Sequence, residues 1–337
     1  MLQPSVTFEA MYKIWFERKL PHEHAHLVEG LARPLGFAGD ASSDPLAEIA
    51  EAEGIVASAK IIYDGALMDR APALKVIART GVGYDNISVP EATARGICVC
   101  YTPDAPTIST AEHAVALMLA AAKQLKRYNR AMREQPAADH ISGYYGLELY
   151  GRRLGLVGLG RIGARVALVA KALGMSVAAY DPFVSPARTA EMGVELAASL
   201  ESLLSEADVV SLHVPATAET RHLINAERLS LMKPGAYLIN AARGALVDER
   251  ALLEALENGR LSGAGLDVFD CEPPPADHPL LARDDVIATP HLAGPSPAGR
   301  QRMWEGAISQ TLQVLRNEQP THLLNPDVWA VRRNGRR

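Results

Sequence analysis

The sequence has 337 residues, of which 48% are hydrophobic and 22% are charged, and its formal net charge is -5. That length allows two domains with cores of their own, and the composition is that of a globular protein. A net negative charge gives no reason to expect a nucleic-acid partner, which a strongly basic surface would indicate.

The cysteines and the apolar runs limit the cellular setting. Cys98 and Cys100 alternate in "GICVCYT" as neighbours on a strand do, and Cys271 stands apart, so no disulfide framework is expected. No cleavable apolar core and no run long enough to span a bilayer is apparent. We therefore expect a cytoplasmic protein without a membrane partner, with residues 1–10 outside the fold and no regulatory domain after residue 330.

Short apolar runs alternate with helical patterns over the first hundred residues. The runs "YKIWFE", "GIVASA", "LKVIART" and "GICVCYT" predict strands, and the segment "DPLAEIAEAEG" predicts a helix between two of them. This alternation is typical of parallel βα units. One long helix is predicted next over residues 109–133, because residues 109–112 read as a capping box and apolar residues recur at helical spacing.

A second alternating series follows and contains six predicted strands: "RRLGLVGL", "MSVAAYD", "ADVVSLHVP", "GAYLINAAR", "SGAGLDVF" and "DVIATPH". Strands with crossover connections indicate a doubly wound parallel sheet. Residues 297–316 again show a helical pattern. The predicted fold is therefore α/β with two doubly wound parallel-sheet domains. A Rossmann domain over residues 108–296 is inserted in a flavodoxin-like domain formed by residues 11–107 and 297–330.

The segment "GLVGLGRIGARVA" carries the glycine pattern GxGxxG between a predicted strand and a predicted helix. Gly158 suits the tight turn, Gly160 allows a pyrophosphate to approach the helix N-terminus, and Gly163 allows close helix packing. The next strand ends at Asp181, which would bind ribose hydroxyls and repel a 2′-phosphate, so NAD is favoured over NADP. A glycine turn without a nucleotide is the structural alternative. Predicted cofactor contacts here are Gly158, Gly160, Arg161, Ile162, Gly163 and Asp181.

Three ionisable residues follow predicted strands of the Rossmann domain, where ligands of such sheets bind. Arg243 follows "AYLINAA", Glu272 follows "LDVFDC" and His291 follows "VIATP". An arginine suits a substrate carboxylate, and a carboxylate beside a histidine fixes its tautomer. Taken singly, Arg243 could pair with Asp248 or cap a helix, and the other two could be ordinary loop residues. Together they favour reduction of a 2-oxoacid by a hydride.

These features together resemble the D-isomer-specific 2-hydroxyacid dehydrogenases, a family that includes phosphoglycerate, glyoxylate/hydroxypyruvate and D-lactate dehydrogenases. The matching segments occur in the expected order: "RTGVGYDNISVPEATARGI", "TAEHAVALMLA", "GLVGLGRIGARVA", "LMKPGAYLINAARGALVDERALLEAL", "GAGLDVFDCEPPP" and "ATPHLAG". The resemblance implies an NAD(H)-dependent oxidoreductase for a small D-2-hydroxyacid or 2-oxoacid. It also implies a homodimer joined through the nucleotide domain, with the helix over residues 109–133 as the candidate contact.

The resemblance also implies roles for individual residues. Arg243 would bind the substrate carboxylate, His291 would exchange a proton with the keto oxygen, and Glu272 would hold His291 in its protonated form. No metal is implied. Further implied cofactor contacts are Thr110, Pro215, Ala241 and Asp267. The implied substrate contacts besides Arg243 and His291 are Arg79, Val82 and Gly83, in a glycine-rich loop that suits an anion.

The substrate itself is less clearly specified. The segment "CYTPDAPTIS" departs from the form common in phosphoglycerate dehydrogenases, whereas Arg79 could meet a phosphate or a second carboxylate. The expected order is hydroxypyruvate or glyoxylate, then 3-phosphoglycerate, then bulkier oxoacids. The alternative function is an NADH-sensing, corepressor-like binding protein of the same fold. The histidines of "HEHAH" predict the start of a surface helix rather than a metal site.

Overall fold

The computed structural model describes residues 11–36 and 46–333. These residues form two compact units: residues up to Pro106 together with those from Pro297 onward make the first unit, and Thr107–Ser296 make the second. The predicted N-terminal extension, residues 1–10, lies outside the described residues, as do the first two residues of "DPLAEIAEAEG".

The first unit contains a five-stranded sheet. Its strands are β1 (Tyr12–Phe16), β2 (Ala32–Gly36), β3 (Gly54–Ala57), β4 (Val76–Arg79) and β5 (Cys98–Cys100). They are parallel and lie in the order β2-β1-β3-β4-β5, which is the flavodoxin-like order expected from the sequence. Strand β2 was not predicted, because this edge strand buries only two of its five residues and contains Pro34.

The second unit contains a seven-stranded parallel sheet in the order β12-β11-β10-β9-β6-β7-β8. Its strands are β6 (Arg153–Val157), β7 (Ser176–Tyr180), β8 (Glu195–Leu196), β9 (Val209–Leu212), β10 (Ala236–Asn240), β11 (Leu261–Leu266) and β12 (Val286–Ala288). The six predicted strands are confirmed; β8 was not predicted because two residues are too few to show a pattern. The chain order reverses between β6 and β9, which is where Rossmann sheets bind ligands.

The α-helices of the described residues are α1 (Gly65–Asp69), α2 (Val89–Ala94), α3 (Thr107–Ala122), α4 (Leu125–Glu134), α5 (Arg161–Ala172), α6 (Pro186–Glu191), α7 (Leu200–Glu206), α8 (Ala226–Leu231), α9 (Glu249–Glu257), α10 (Pro279–Ala282), α11 (Pro297–Leu315) and α12 (Val328–Val331). In the second unit, buried residues of α3 and α5 pack on one face of the sheet, and those of α7, α8 and α9 pack on the other. Both faces are covered, as a parallel sheet requires. No helix in the described ranges combines the length and apolar character needed to cross a bilayer.

The single helix predicted over residues 109–133 is wrong. Helix α3 begins before Ser109, which is buried within it, so Ser109 is not the N-cap. It ends at Ala122, and α4 begins after Gln124, whose φ of 51° is left-handed. The break has a physical cause: α3 is buried along much of its length, whereas α4 buries none of its residues and is not held to the same core.

A second helix prediction is also wrong. The described part of "DPLAEIAEAEG" forms only the short 3-10 turn Ile49–Glu51, because the chain must enter β3 three residues later. The segment "HEHAH" forms the 3-10 helix His22–Leu27, in which His24 is buried, with its ring centroid 6.1 Å from that of Trp304. The other four residues of this segment are exposed, as predicted for the start of a surface helix, so only His24 departs from the prediction.

A buried carboxylate stabilises the loop after β3. Glu17 accepts five hydrogen bonds: from the amides of Ser58 (2.5 Å), Lys60 (2.8 Å) and Ile61 (3.2 Å), and from the hydroxyls of Ser58 (2.6 Å) and Tyr63 (2.8 Å). Burial, together with the Glu17 carboxylate, raises the pKa of Tyr63 well above its ordinary value, so this hydroxyl remains a donor. The whole loop is thus tied to one side chain.

Glu17→Gln is expected to destabilise the protein by about 2–4 kcal/mol, because an amide NH₂ group would face donors that need an acceptor. Urea unfolding of both proteins measures the difference. The matched control is Glu51→Gln, which alters an exposed glutamate paired with Lys13 (2.7 Å) and should leave the midpoint nearly unchanged. An unfolding midpoint for Glu17→Gln equal to that of the parent would contradict this account of the loop.

Candidate active site

The glycine-rich loop links β6 to α5. Gly158 has a φ of +96°, and a Cβ there would lie 2.7 Å from the carbonyl oxygen of His213. A Cβ on Gly163 would collide with the carbonyl oxygen of Gly158, so only glycine allows α5 to pack this closely. A Cβ on Gly160, the N-cap of α5, would meet nothing within 4 Å. The helix N-terminus therefore faces open space, which fits a dinucleotide pyrophosphate.

Asp181 directly follows β7 and contacts the same loop. Its Oδ2 accepts a hydrogen bond from the amide of Leu159 (2.9 Å), and its Oδ1 accepts one from the amide of Phe183 (2.9 Å). Each oxygen keeps capacity for a further donor such as a ribose hydroxyl. Arg161 and Ile162 occupy the first turn of α5, where Arg161 is exposed and Ile162 is half-buried.

The turn after β10 positions Arg243. Asn240 is buried at the strand end; its Nδ2 donates to the carbonyl of Arg243 (2.8 Å), and its Oδ1 accepts from the amide of Ala242 (3.0 Å). Arg243 Nη1 donates to the carbonyl of Ala242 (2.7 Å). A Cβ on Gly244 would collide with the backbone of Phe269, so this turn lies directly against the loop after β11. Sequence reasoning missed both Asn240 and Gly244.

The competing interpretations of Arg243 gave it a partner in Asp248 or a role as a helix cap. The Asp248 carboxylate instead caps α9, accepting from the amides of Arg250 and Ala251, each at 3.1 Å. Arg243 makes no cap with its own side chain at the short 3-10 turn Gly244–Leu246 that follows it. Asp248 is thus the N-cap of α9, a position that aspartate favours.

Glu272 and His291 form a hydrogen-bonded pair. Their Oε2 and Nδ1 atoms are 2.6 Å apart, and Glu272 Oε1 accepts from the amide of Phe269 (3.1 Å). Because the carboxylate accepts, Nδ1 of His291 carries the hydrogen, and Nε2 is the atom left to exchange a proton with a ligand. The imidazole is 48% exposed, so a ligand can reach it.

The charge of Glu272 is stabilised by its neighbours. Burial alone would raise the pKa of Glu272, but the hydrogen bond and charge of His291 outweigh it, together with the amide of Phe269 and the nearby charge of Arg243. The net effect lowers the pKa below its ordinary value, so the carboxylate is ionised at neutral pH. Arg243, Glu272 and His291 are thus gathered at the carboxyl ends of neighbouring strands.

The turn that carries His291 is held by Asp267. His291 has a φ of 55°, which is unfavourable for a residue with a side chain, and its amide donates to the carbonyl of Asp267 (2.8 Å). The buried Asp267 carboxylate accepts from the amides of Leu292 and Ala293, both at 2.8 Å, and from the hydroxyl of Thr289 at 2.6 Å. Asp267 therefore anchors this turn on both sides of His291, a role that the sequence did not reveal.

Other predicted cofactor residues also lie in the second unit. Thr110 is buried within α3, and Ala241 is buried just after β10. Pro215 is exposed beyond the end of β9, and its carbonyl accepts from the hydroxyl of Thr220 (2.8 Å). Pro215 and Ala241 therefore follow adjacent strands, at the same edge of the sheet as the glycine-rich loop.

The predicted substrate residues Arg79, Val82 and Gly83 belong to the first unit. Arg79 is the last residue of β4, and its Nη1 donates to the carbonyl of Thr80 (2.7 Å). The amide of Gly81 donates to the hydroxyl of Thr102 (2.7 Å), which fixes the start of the loop, and Val82 is 36% exposed. The loop thus presents glycine-flanked backbone at the carboxyl end of its strand.

The family model for the NAD-binding domain of D-isomer specific 2-hydroxyacid dehydrogenases matches residues 115–293. A glyoxylate reductase of Korarchaeum cryptofilum is 46% identical over 274 residues, which are 81% of this chain and 82% of that protein. The chain belongs to the D-isomer-specific 2-hydroxyacid dehydrogenase family. This membership confirms the predicted enzyme class and the NAD cofactor, and the fold described above confirms the predicted fold class.

Further members of the family are similar over most of this chain. A D-3-phosphoglycerate dehydrogenase of Methanocaldococcus jannaschii is 39% identical over 315 residues, which are 94% of this chain but 60% of that longer protein. The structure of a D-lactate dehydrogenase from Aquifex aeolicus, complexed with NAD and lactic acid, superposes with a TM-score of 0.82. It is 34% identical, and the match covers 93% of this chain and 98% of that one. The comparisons lend no support to the corepressor-like alternative.

Proposed function

We propose that this dehydrogenase uses NADH to reduce a small 2-oxoacid, with glyoxylate or hydroxypyruvate ahead of the 3-phosphoglycerate class and of bulkier oxoacids. The observation that carries the proposal is the Glu272–His291 pair, 2.6 Å apart, with the charge of Arg243 beside it. A protein named glyoxylate reductase is 46% identical and one named D-3-phosphoglycerate dehydrogenase is 45% identical, so both substrate classes belong in the proposal. A phosphorylated substrate comes second because the segment "CYTPDAPTIS" departs from the form common in phosphoglycerate dehydrogenases.

Each residue has a distinct task in this proposal. The glycine-rich loop and Asp181 would hold NADH, which would supply a hydride for the keto carbon. Arg243 binds the substrate carboxylate through two parallel hydrogen bonds and helps to polarise the keto group. His291 donates the proton on Nε2 to that oxygen as negative charge develops on it. Glu272 keeps the hydrogen on Nδ1 and fixes the orientation of the ring. In the oxidative direction, His291 Nε2 takes the proton back.

The loop after β4 supplies the remaining substrate contacts in the proposal. Backbone amides around Val82 and Gly83 bind the substrate carboxylate, since successive amides flanked by glycines suit an anion. Arg79 binds a second anionic group where the substrate has one. The cofactor contacts proposed in the second unit, besides the glycine-rich loop and Asp181, are Thr110, Pro215, Ala241 and Asp267.

A substrate panel tests this function. Catalytic efficiency is compared for glyoxylate, hydroxypyruvate, phosphohydroxypyruvate and pyruvate, in the parent and in Arg79→Ala. A loss confined to phosphohydroxypyruvate would identify Arg79 as the anchor of the phosphate. The absence of any change in nicotinamide absorbance with all four oxoacids would contradict the proposal.

The proposed preference for NADH over NADPH depends on Asp181. Its carboxylate would repel a 2′-phosphate, and Asp181→Asn removes that charge while keeping an acceptor for the amide of Leu159 (2.9 Å in the parent). The ratio of kcat/KM for NADH to that for NADPH is expected to fall about tenfold, which corresponds to about 1.4 kcal/mol. Asp139→Asn, which alters an exposed aspartate of the same unit, is the control. If this ratio is unchanged in Asp181→Asn, Asp181 does not determine the preference for NADH over NADPH.

The proposal includes a homodimer that forms through the second unit. Helix α4 and the segment after it support this contact, because they expose several large apolar side chains: Leu125, Met132, Ile141, Tyr144 and Tyr145. Sedimentation at several protein concentrations tests for this dimer.

The proposed setting is the cytoplasm, which suits the free thiols Cys98, Cys100 and Cys271. No nucleic acid and no membrane is among the proposed partners.

A further inference from the structure

A chain of partly buried hydrogen bonds lies beneath the turn that carries His291. His113 Nε2, on α3, lies 2.9 Å from Thr289 Oγ1 and 3.3 Å from Asp267 Oδ1. The Thr289 hydroxyl lies 2.6 Å from the same oxygen of Asp267. All of these residues belong to the second unit. His113 is 176 residues away from Thr289 in the sequence, and none of the roles described above includes it.

The chemistry of the three groups fixes the direction of these hydrogen bonds. The Asp267 carboxylate accepts, so the hydroxyl of Thr289 donates its one hydrogen to it. The oxygen of Thr289 can then only accept from His113, which means that Nε2 of His113 carries a hydrogen. The Asp267 side chain is 0% exposed and that of His113 is 23% exposed, so water competes little for these bonds.

The chain of hydrogen bonds ends at the backbone around His291. Asp267 Oδ1, the oxygen that meets His113 and Thr289, also accepts the amide of Leu292 at 2.8 Å, and Oδ2 accepts the amide of Ala293 at 2.8 Å. The left-handed backbone of His291 persists only while its surroundings hold it. A rotation of the Asp267 carboxylate would release both amides and move the His291 ring away from Glu272.

We propose that His113 is a positioning residue for proton transfer. Through Thr289 and Asp267, its Nε2–H holds residues 289–293 in the conformation that aims His291 at the substrate. This inference rests on the proposed role of His291 as the proton donor. It predicts that His113 affects the rate of the chemical step more than the binding of NADH or of the oxoacid.

A double-mutant cycle tests the inference. His113→Leu removes the donor, and Thr289→Val removes the hydroxyl while keeping the shape of the side chain. Each is expected to lower kcat by about 10- to 100-fold, because a small misplacement of a reacting group costs that much. KM for the oxoacid should stay within about twofold of the parent value. The Kd of NADH should rise by a smaller factor than kcat falls, although Asp267 is also a proposed cofactor contact. The kcat of the double variant should be no lower than that of the worse single variant, since both changes interrupt the same chain of hydrogen bonds.

Two further variants separate positioning from general damage. His113→Gln keeps an N–H donor at a similar distance from the backbone and should recover most of kcat. His140→Leu alters an exposed histidine of the same unit, bound to the carbonyl of Gln135 at 2.8 Å, and should match the parent. Recovery with glutamine would not be expected if the imidazole only filled space.

Several results would overturn the inference. These are a kcat of His113→Leu within about twofold of the parent, additive losses in the double variant, or a loss of NADH affinity as large as the loss of kcat. His291→Ala, measured in parallel, separates this from the proposed function. If His291→Ala retains the parent turnover, the proposed function itself fails. If only His291→Ala loses turnover, His113 has no positioning role.

Discussion

Arg243→Ala is expected to lower kcat/KM for every 2-oxoacid substrate by about 100- to 1,000-fold, because it removes a charge-assisted, two-point contact to the substrate carboxylate. The Kd of NADH, measured by nicotinamide fluorescence, should change less than about threefold, since Arg243 is proposed to touch only the substrate. The turn itself should persist in the variant, because Asn240 holds it through main-chain atoms of Ala242 and Arg243.

The matched control is Arg250→Ala on α9. The Arg250 side chain is 89% exposed and its ion pair with Glu254 joins residues one helical turn apart, so its loss should leave turnover unchanged. Equal losses of oxoacid turnover and of NADH affinity in Arg243→Ala would mean that Arg243 supports the fold of the site rather than the substrate.

His291→Ala is expected to lower kcat by about 100- to 10,000-fold, the range for loss of a general acid. The binding of NADH should be nearly unchanged. Glu272→Gln should have a smaller effect, about tenfold, because its amide oxygen still accepts from Nδ1 while the negative charge is lost. Rates of nicotinamide oxidation at saturating oxoacid measure both effects.

The exposed histidine His140 provides a control for His291→Ala, because it lies in the same unit and its substitution should not change the rate. A kcat for His291→Ala within about tenfold of the parent would remove His291 from the proton transfer. A loss in Glu272→Gln larger than that in His291→Ala would mean that Glu272, not His291, exchanges the proton.

Much of the fold could be predicted because its signals are local. The run of apolar residues in β10, followed directly by polar residues and Arg243, marks a buried parallel strand and its ligand-binding end. The glycine-rich loop could be predicted for the same reason, since the turn at Gly158, with its φ of +96°, favours glycine. The edge strands β2 and β8 were missed because they bury few residues and lack an apolar run.

The break between α3 and α4 could not be predicted from periodicity alone. The sequence continues a helical pattern past Ala122, and only the loss of burial on α4 separates the two helices. The supports of the site were hidden for a different reason. His113 meets Thr289 across 176 residues, and Asp267 meets Leu292 across 25, so nothing in the local sequence marks these contacts.

Sequence reasoning found residues that end strands, because polar groups there interrupt an apolar run. It did not find residues whose task is to hold them. Asn240 is the polar residue that ends β10, and the sequence does not show that its amide holds the turn of Arg243. The backbone of Phe269 leaves no room for a side chain at Gly244, and the local sequence does not mark this contact.

Product analysis shows directly whether the protein reduces a 2-oxoacid with NADH. The purified protein is incubated with NADH and the best oxoacid of the panel, hydroxypyruvate or glyoxylate in the first instance, and NADH consumed is compared with hydroxyacid formed. For an oxoacid whose product is chiral, such as hydroxypyruvate, we expect equal amounts of NADH consumed and of the D-2-hydroxyacid formed. Formation of the L-isomer, or oxidation of NADH without any hydroxyacid, would contradict this expectation.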